Sequence, residues 1–463
     1  MKFMDDKVFL TNDTAVELYN ACKSDPIYDY HCHLSPEEIY NDKVFNDLTE
    51  LWLMGDHYKW RVMRAYGIDE DLVTGKADNK SKFFAFCKSL PSFIGNPVYH
   101  WAHMELKKYF GITLPICEKN VEFIWNETKQ MMSDGKYSAQ KLIRQSGVDT
   151  LITTDDPCDD LRYHKLIKES NLGFNVLPCF RPDKAVNIEN DIFVSYVNSL
   201  ALTVGKEINS LLDLIDALKV RLDYFTDNGC LSSDISFTDF PIAEYDEYKA
   251  NEVFVKVMRG EQLTSEEVAT YKFCILVKLG ELLKNKNCVL LLHTGVIRNC
   301  NTKLFRRVGV DAGGDSVADP ISIIGARNLL DKIELTCGLP KTVIYTLNPT
   351  AYYPLSTLIA DFKSGTKGKL QLGAAWWLAD HRDGIIEQLR HVAFTGGLGL
   401  FIGMLTDSRS FTSYARHDYF RRILCSVIGE YVEGGEYGAD EEELARLIHD
   451  ISFNNAKNYF ENK

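Results

Sequence analysis

The chain has 463 residues, of which 45% are hydrophobic and 25% are charged, the balance of a soluble globular protein. Its 52 Lys and Arg residues face 65 Asp and Glu residues, and the formal charge of −13 argues against nucleic acid as a partner. The amino terminus, MKFMDDKVFLTND, lacks the apolar core of a signal peptide, and no later apolar run approaches the ~20 residues of a membrane helix. We therefore expect a cytoplasmic protein with no membrane partner.

Eight short apolar runs along the chain each end abruptly in polar residues. They are PIYDYHCHLS (26–35), VDTLITTDDP (148–157), FNVLPCFRPD (174–183), CLSSDISFTDF (230–240), CVLLLHTGVIRN (288–299), KTVIYTLNPT (341–350), KLQLGAAWW (369–377) and LGLFIGMLTDSRS (398–410). Residues 289–292 lack polar alternation, which is typical of a parallel strand covered on both faces. Helix-like stretches separate most runs. The pattern predicts an α/β fold, a (β/α)8 TIM-type barrel whose active site lies at the carboxyl ends of the strands.

The first run contains two histidines separated by one residue. In a strand His31 and His33 would point to the same face and Cys32 to the other. The pair is therefore a candidate set of two nitrogen ligands for a metal ion, and the alternative is two polar residues at a strand end.

The interval between the first two runs shows no convincing strand. It is rich in helical and aromatic stretches such as LWLMGDHYKWRVMRAYG and HWAHMELKKYFG. We therefore divide the chain into the barrel start (1–35), an all-helical insertion after the first strand (36–147), and the remaining barrel with C-terminal helices (148–463). His57 and Tyr58 lie in the insertion, either in a wall over the barrel mouth or in the insertion's own core.

Further chemistry-bearing side chains stand at later strand ends. Arg181 and Arg298 can each match a carboxylate with two parallel hydrogen bonds, so they indicate an anionic substrate, unless they form structural salt bridges. His293 is a candidate fourth metal ligand or a hydrogen-bond donor. Trp376 and Trp377 would occupy opposite faces of a strand, one facing the site and the other the surrounding helices.

The last run ends in LTDSRS, which places Asp407 and Arg409 two residues apart. They share a face if the extended conformation persists, and the cation would help to hold the carboxylate ionised. Asp407 would meet His31 and His33 only if the barrel closes, and the three would then form a metal site with an open position. The glycines of TGGLGLFIG precede a strand, so they do not form a dinucleotide cradle, and DAGGDS (311–316) is predicted to be a flexible loop.

Five segments, read in chain order, resemble the uronate isomerase (glucuronate isomerase) family of the amidohydrolase superfamily. They are DYHCHLSPEEI, GDHYKWR, LLLHTGVIRN, GAAWW and GMLTDSRSFTSYARHDYFRRILC, and the last is very specific. The resemblance spans nearly the whole chain. It implies a distorted (β/α)8 barrel with a helical insertion and an aldose–ketose isomerisation, D-glucuronate to D-fructuronate and D-galacturonate to D-tagaturonate.

The resemblance also implies roles for residues of this chain. It implies one divalent metal, zinc, on His31, His33 and Asp407, and proton transfer by Asp407 through an enediolate. His57, Tyr58 and Arg409 would hold the oxyanion, and Arg298 or Arg181 would bind the C6 carboxylate. His293 would be a further substrate contact, as would one tryptophan of the WW pair, Trp376 or alternatively Trp377.

One departure from the family lies in the fourth run, where a histidine often follows Ser-Asp but this chain has Ile235. The departure leaves the role of that strand in metal or substrate binding undetermined. Because the bridging lysine and the strand-six histidine of binuclear relatives are also missing, we expect at most one metal. Whether turnover needs the metal, or purification removes it, stays open. The alternatives are a mononuclear hydrolase or deaminase and a non-catalytic sugar-acid binding protein. We expect a small-molecule hexuronate substrate and a homo-oligomer.

Overall fold

The computed structural model describes residues 3–362, 365–438 and 440–461. The strands in these residues are β1 (Ile27–Asp29), β2 (Val148–Ile152), β3 (Asn175–Leu177), β4 (Ser232–Ser236), β5 (Val289–Thr294), β6 (Val296–Ile297), β7 (Ser316–Val317), β8 (Thr342–Thr346) and β9 (Leu370–Leu372). β6 and β7 form a separate antiparallel pair, and the other seven are parallel strands. Each of the first seven predicted runs therefore contains one parallel strand.

Helices fill the intervals between these strands. α1 (Asp13–Cys22) precedes β1, and the helices between β1 and β2 are α2 (Pro36–Tyr40), α3 (Leu48–Trp52), α4 (His57–Tyr66), α5 (Glu70–Val73), α6 (Asn79–Ser89), α7 (Pro97–Phe110), α8 (Val121–Met132) and α9 (Ala139–Ser146). A 3-10 turn, Leu90–Ser92, follows α6. Apart from one isolated bridge between Val44 and Ser138, this described interval contains no β structure.

The helices after β2 alternate with the remaining strands. They are α10 (Arg162–Ser170), α11 (Asp183–Val186), α12 (Phe193–Val204), α13 (Leu211–Asp227), α14 (Glu247–Met258), α15 (Ser265–Lys286), α16 (Thr302–Val308), α17 (Ile323–Cys337), α18 (Tyr352–Asp361), α19 (Arg382–Thr395), α20 (Ala415–Glu433), α21 (Glu441–His449) and α22 (Asn455–Glu461). Short 3-10 turns span Pro349–Ala351 and Leu398–Leu400, and a π-helical turn spans Asp450–Asn454.

The parallel strands close into a barrel. β1, β2 and β3 are neighbours in one sheet, and β4, β5, β8 and β9 are neighbours in a second. Phe180, just beyond β3, joins the two sheets, since its N–H donates to the Ser232 carbonyl and its carbonyl accepts from the Asp234 N–H, both at 3.0 Å. At the other edge the Asp407 N–H donates to the His31 carbonyl at 3.1 Å. The predicted (β/α)8 architecture is therefore confirmed.

The last predicted run differs from a regular strand. Residues 401–408 form no strand ladder. Main-chain hydrogen bonds join their carboxyl end to the β1 side, from the Asp407 N–H to the His31 carbonyl and from the His33 N–H to the Ser408 carbonyl, and side chains make further bonds on both sides. Gln371 on β9 accepts from the Ile402 N–H at 3.1 Å, and the carboxylate of Asp29 binds both the N–H and the hydroxyl of Thr406, at 2.7 and 2.6 Å. Asp407 has a φ of +44°, so the extended conformation expected from Asp407 to Arg409 does not persist.

The core agrees with the apolar patterns of the sequence. All six residues of β5 are buried, as the absence of polar alternation predicts. α13 begins at the N-cap Ser210, whose side chain accepts from the Asp213 N–H, and it buries Leu211, Leu214 and Leu218 on one face. Among the described residues, no helix combines the length and the apolar character needed to cross a membrane.

Candidate active site

A cleft of about 410 Å³ opens at the carboxyl ends of the barrel strands. Most of the residues predicted from the sequence line it: His31, His33, His57, Arg181, His293, Arg298, Trp376, Asp407 and Arg409. Tyr58 is the exception among them, because it lies behind the cleft wall and is 7% exposed. Barrel closure thus brings together side chains that are far apart in the sequence.

His31, His33 and Asp407 meet at one oxygen. Nε2 of His31 lies 3.3 Å from Asp407 Oδ1, and Nε2 of His33 lies 3.0 Å from the same atom. Burial raises the pKa of the Asp407 carboxyl, but the hydrogen bonds from His31 and His33 outweigh it and hold this pKa well below its usual range. Burial also lowers the pKa of His33 to about 4. The carboxylate therefore stays ionised beside a neutral imidazole.

Asp234 on β4 is a site residue that the sequence argument missed. Its Oδ1 lies 2.6 Å from His293 Nδ1, and its Oδ2 lies 3.4 Å from Arg181 Nε and 4.0 Å from His31 Nδ1. Burial opposes its ionisation, but these three positive or polar neighbours hold its pKa far below the usual range. Asp234 thus gives β4 a part in the site, a role that the departure at Ile235 had left undetermined.

Strand geometry explains why the sequence could have identified Asp234. Successive side chains of a strand point to opposite faces, so Ile235 points away from the barrel interior while Asp234 and Ser236 point toward it. The Ser236 hydroxyl accepts a hydrogen bond from Arg298 at 3.4 Å. Alternation along SSDIS was the signal that could have identified Asp234.

Two groups of side chains in the cleft could hold a metal ion. One is His31, His33 and Asp407, and the other is His31, Asp234 and His293. In the second group, Asp234 contacts His293 Nδ1 and Arg181, while His31 Nδ1 and His293 Nε2 are buried without a hydrogen-bond partner among the described residues. Buried imidazole nitrogens and carboxylate oxygens are the ligand atoms that zinc and similar divalent metals accept, so these residues fit a metal site.

Each arginine in the cleft contacts an aspartate. Arg298 Nη1 donates to Asp315 at 2.7 Å, and Arg409 Nη2 donates to Asp311 at 3.2 Å. Arg181 Nε donates to Asp183 at 3.0 Å, in addition to its contact with Asp234. The structure thus pairs Arg409 with Asp311 rather than with Asp407, which corrects the expected Asp407–Arg409 contact. The left-handed turn at Asp407 separates the two side chains that a strand would have aligned.

Asp311 and Asp315 belong to the DAGGDS loop, which lies against the insertion. Arg61 on α4 donates to the carbonyls of Gly313 and Asp315 at 3.1 and 2.9 Å, and Arg64 donates to the carbonyl of Ala312. Gly313 has a φ of +79°, and a Cβ there would lie 2.8 Å from the His57 carbonyl oxygen. Only glycine fits this approach. No local pattern in the sequence indicated that this loop would supply two acids to the cleft.

α4 places an aromatic wall beside the cleft. The helix begins at the N-cap Asp56, whose side chain accepts from the N–H groups of Tyr58 and Lys59, so His57 stands in the first turn. The rings of His57 and Tyr58 stack 5.1 Å apart, and Trp377 meets both edge-on at 4.6 and 5.4 Å. This segment therefore forms a wall of the site as well as part of the insertion's packing.

Both tryptophans of the WW pair line the cleft, which corrects the expectation that only one faces it. β9 ends at Leu372, and the chain turns at Trp377, so strand alternation does not apply to the pair. Trp376 Nε1 donates to Asp407 Oδ2 at 2.9 Å, and its ring lies 4.7 Å from that of His293. Trp376 thus orients the second oxygen of the carboxylate that the histidines contact.

Comparisons with known proteins agree with this geometry. The glucuronate isomerase family model matches residues 1–460. Uronate isomerases from Caldanaerobacter subterraneus subsp. tengcongensis and Clostridium perfringens are 49% and 44% identical to the chain, each over 99% of both proteins. The crystal structure of a uronate isomerase from Thermotoga maritima superposes with a TM-score of 0.94 at 34% identity, covering 99% of this chain and 100% of that one. The chain therefore belongs to the glucuronate isomerase family of uronate isomerases.

Proposed function

We propose that this cleft isomerises hexuronates between aldose and ketose, D-glucuronate to D-fructuronate and D-galacturonate to D-tagaturonate, by proton transfer through an enediolate. Hexuronate isomerisation follows from the family, and the proton-transfer route rests on one observation. Asp407 is an ionised carboxylate held by two histidines and a tryptophan in a cleft with three arginines. The full-length family match weighs against a hydrolase, a deaminase or a non-catalytic sugar-acid binder.

Arg298 is the proposed partner of the C6 carboxylate. Its side chain is 39% exposed at the cleft mouth and contacts one carboxylate, that of Asp315. Arg181 is already shared between Asp183 and Asp234, and a third carboxylate there would meet two negative charges. A guanidinium that keeps donors free for a bidentate contact distinguishes a uronate from a neutral sugar.

Asp407 is the proposed base. It would remove the C2 proton to give the enediolate, and the same carboxyl would return a proton to C1, while a hydroxyl proton passes from O2 to O1. General-base catalysis contributes roughly 10²- to 10⁴-fold, and stabilisation of the developing oxyanion is often larger. Its contacts with His31, His33 and Trp376 would fix the carboxylate relative to the two carbons.

His57 and Arg409 are the proposed oxyanion partners. Arg409 Nη1 lies 3.3 Å from His57 Nδ1, and because arginine only donates, Nδ1 accepts and Nε2 carries the proton. Burial, with Arg409 as the next cause, lowers the pKa of His57, so the imidazole is neutral. It would therefore present an N–H to the substrate oxygen without competing for the C2 proton. Tyr58 stacks on this imidazole and would orient it.

Zinc is the proposed metal, with His31, His33 and Asp407 as its ligands. When bound, a divalent metal there would polarise the oxygens on C1 or C2. We also propose that residues 36–147 act as the unit that walls the cleft, since α4 lies within them, and that the enzyme is a cytoplasmic homo-oligomer. Light scattering behind size-exclusion chromatography would test the assembly.

Turnover in deuterated water tests the proton route. Purified protein should convert D-glucuronate and D-galacturonate to ketoses, and deuterium should enter C1 because a proton held on a carboxylate exchanges with solvent. Asp407→Asn should lose activity, while Asp227→Asn, which changes an exposed carboxylate at the end of α13, should match the parent. Full retention of a C2 label at C1, together with near-parental activity of Asp407→Asn, would rule the mechanism out.

A further inference from the structure

A buried charged cluster lies directly behind the cleft. Its members are Arg416 on α20, which is 1% exposed, and Asp380, which is 4% exposed and precedes α19. The guanidinium of Arg416 lies over the rings of Tyr58 and Trp101, at 4.5 and 4.0 Å from their centroids. Neither Arg416 nor Asp380 lines the cleft, yet the cluster touches two elements that do.

The first of these elements is the wall that carries Tyr58. The Tyr58 hydroxyl donates to Asp380 Oδ2 at 3.0 Å, across 322 residues of sequence. Asp380 Oδ1 is buried with no hydrogen-bond partner among the residues that the structure describes, and burial raises the pKa of this carboxyl to about 7. The hydrogen bond ties the phenol, and with it the stacked imidazole of His57, to the segment between β9 and α19.

The second element is the segment that carries Asp407. Arg416 Nη1 donates to the carbonyl of Thr406 at 3.1 Å, and the same nitrogen lies 3.9 Å from Asp380 Oδ2. Thr406 immediately precedes Asp407, in a stretch that forms no strand ladder. Arg416 therefore stabilises the main chain at Thr406, in a segment that no regular strand pairing stabilises.

We propose that Asp380 and Arg416 are positioning residues of the isomerase: Asp380 orients the Tyr58 hydroxyl, and Arg416 fixes the backbone that leads into Asp407. This inference rests on the proposed function of Tyr58, His57 and Asp407. A purely structural role is the rival explanation. Buried ion pairs are often no more stabilising than apolar residues of the same volume, so fold stability alone is a weak reason for this cluster.

The two roles predict different kinetics. Because neither side chain lines the cleft, Asp380→Ala should leave KM within about twofold of the parent. A small displacement of catalytic groups costs up to about 100-fold in rate, so its kcat should fall by about 10- to 100-fold. Asp380→Asn keeps an oxygen that can accept from the Tyr58 hydroxyl, and its kcat should recover to within about threefold of the parent. Tyr109→Phe is the matched control, since it removes a buried tyrosine hydroxyl that contacts Ser146, away from the cleft.

A double-mutant cycle with Tyr58→Phe decides whether Asp380 acts through Tyr58. If it does, adding Asp380→Ala to Tyr58→Phe should lower kcat by less than about twofold more. Fully additive losses, a raised KM with unchanged kcat, or a chain that folds only with carboxylate or amide at position 380 would overturn the inference. A Tyr58→Phe protein equal to the parent would also overturn it, because the hydroxyl that Asp380 orients would then have no role in turnover. A parent without uronate isomerase activity would instead refute the proposed function on which the inference rests.

Discussion

Gly313 is the point at which the acid-bearing loop touches the aromatic wall, and replacing it by alanine tests whether that contact shapes the cleft. A methyl group at this position would stand 2.8 Å from the His57 carbonyl oxygen, on a backbone with a φ of +79°. The loop and α4 would have to separate by about half an ångström to restore ordinary contact. Such a separation would move Asp311 and Asp315, which contact Arg409 and Arg298.

The cost can be worked from these two features. An L-residue in the left-handed region costs about 1–2 kcal/mol, and the close contact adds to it. If about 2 kcal/mol falls on docking of the loop, the ratio of docked to undocked loop drops by about 30-fold. We therefore expect kcat/KM for a hexuronate to fall by about 10- to 30-fold in Gly313→Ala, with only a small change in Tm, because the loop lies at the surface of the barrel mouth.

The assay is ketose formation from D-glucuronate, measured alongside thermal unfolding for two control variants. Gly314→Ala changes the neighbouring residue, where the nearest atom to a Cβ is Leu304 Cδ2 at 3.6 Å. Gly309→Ala has a φ of +84° but no atom within 4 Å of the added carbon, so it isolates the backbone strain. If Gly313→Ala keeps kcat/KM within twofold of Gly314→Ala, the contact does not shape the site and the reasoning is refuted.

Three further predictions concern the metal, the substrate and pH. Changing His33 to alanine should abolish bound zinc in elemental analysis, whereas Asp234→Asn should leave it. Because His31 belongs to both ligand groups, the opposite result for these two variants would assign the metal to the second group. Arg298→Met should lower kcat/KM for uronates at least tenfold, about 1.4 kcal/mol, and Arg298→Lys should lower it less, while an unchanged value would remove Arg298 from substrate binding. His103 donates from Nδ1 to one main-chain group and accepts at Nε2 from another, and burial lowers its pKa from 6.5 to about 4. The unfolded chain therefore binds the extra proton, so the unfolding free energy in urea should fall as pH drops from 6.5 to 4, by up to about 1.4 kcal/mol per unit, and His103→Asn should flatten this slope.

The sequence revealed the barrel and its strand-end residues because both follow local rules. Continuous apolar runs indicate buried parallel strands, and the carboxyl ends of such strands meet at one end of a barrel. The sequence alone therefore predicts that His31, His293 and Asp407 lie close together, as they do in the cleft. The extended conformation ends early in two of these runs, because the backbone turns at Asp407 and at Trp377. The alignment of Asp407 with Arg409, and the placement of the tryptophans on opposite faces, therefore do not hold.

The residues that were missed depend on long-range packing. Asp311 and Asp315 reach the cleft only because the loop docks on α4, and Asp380 meets Tyr58 across most of the chain. Loop docking of this kind leaves no periodic pattern in the sequence, since it depends on a few side-chain contacts and one glycine. Asp234 was different, because strand alternation on β4 would have pointed it inward.

The side-chain closure of the barrel has a consequence for how the chain matures during synthesis. Asp29 contacts Thr406 across 377 residues of sequence, and His31 and His33 stand on the same early segment. A nascent chain therefore exposes half of its catalytic centre long before the other half leaves the ribosome. Contacts of such long sequence separation form slowly, because the loop between them must first be closed. We therefore expect the active site to be among the last parts of the molecule to form, and a chain released before residue 407 carries His31 and His33 without the carboxylate of Asp407.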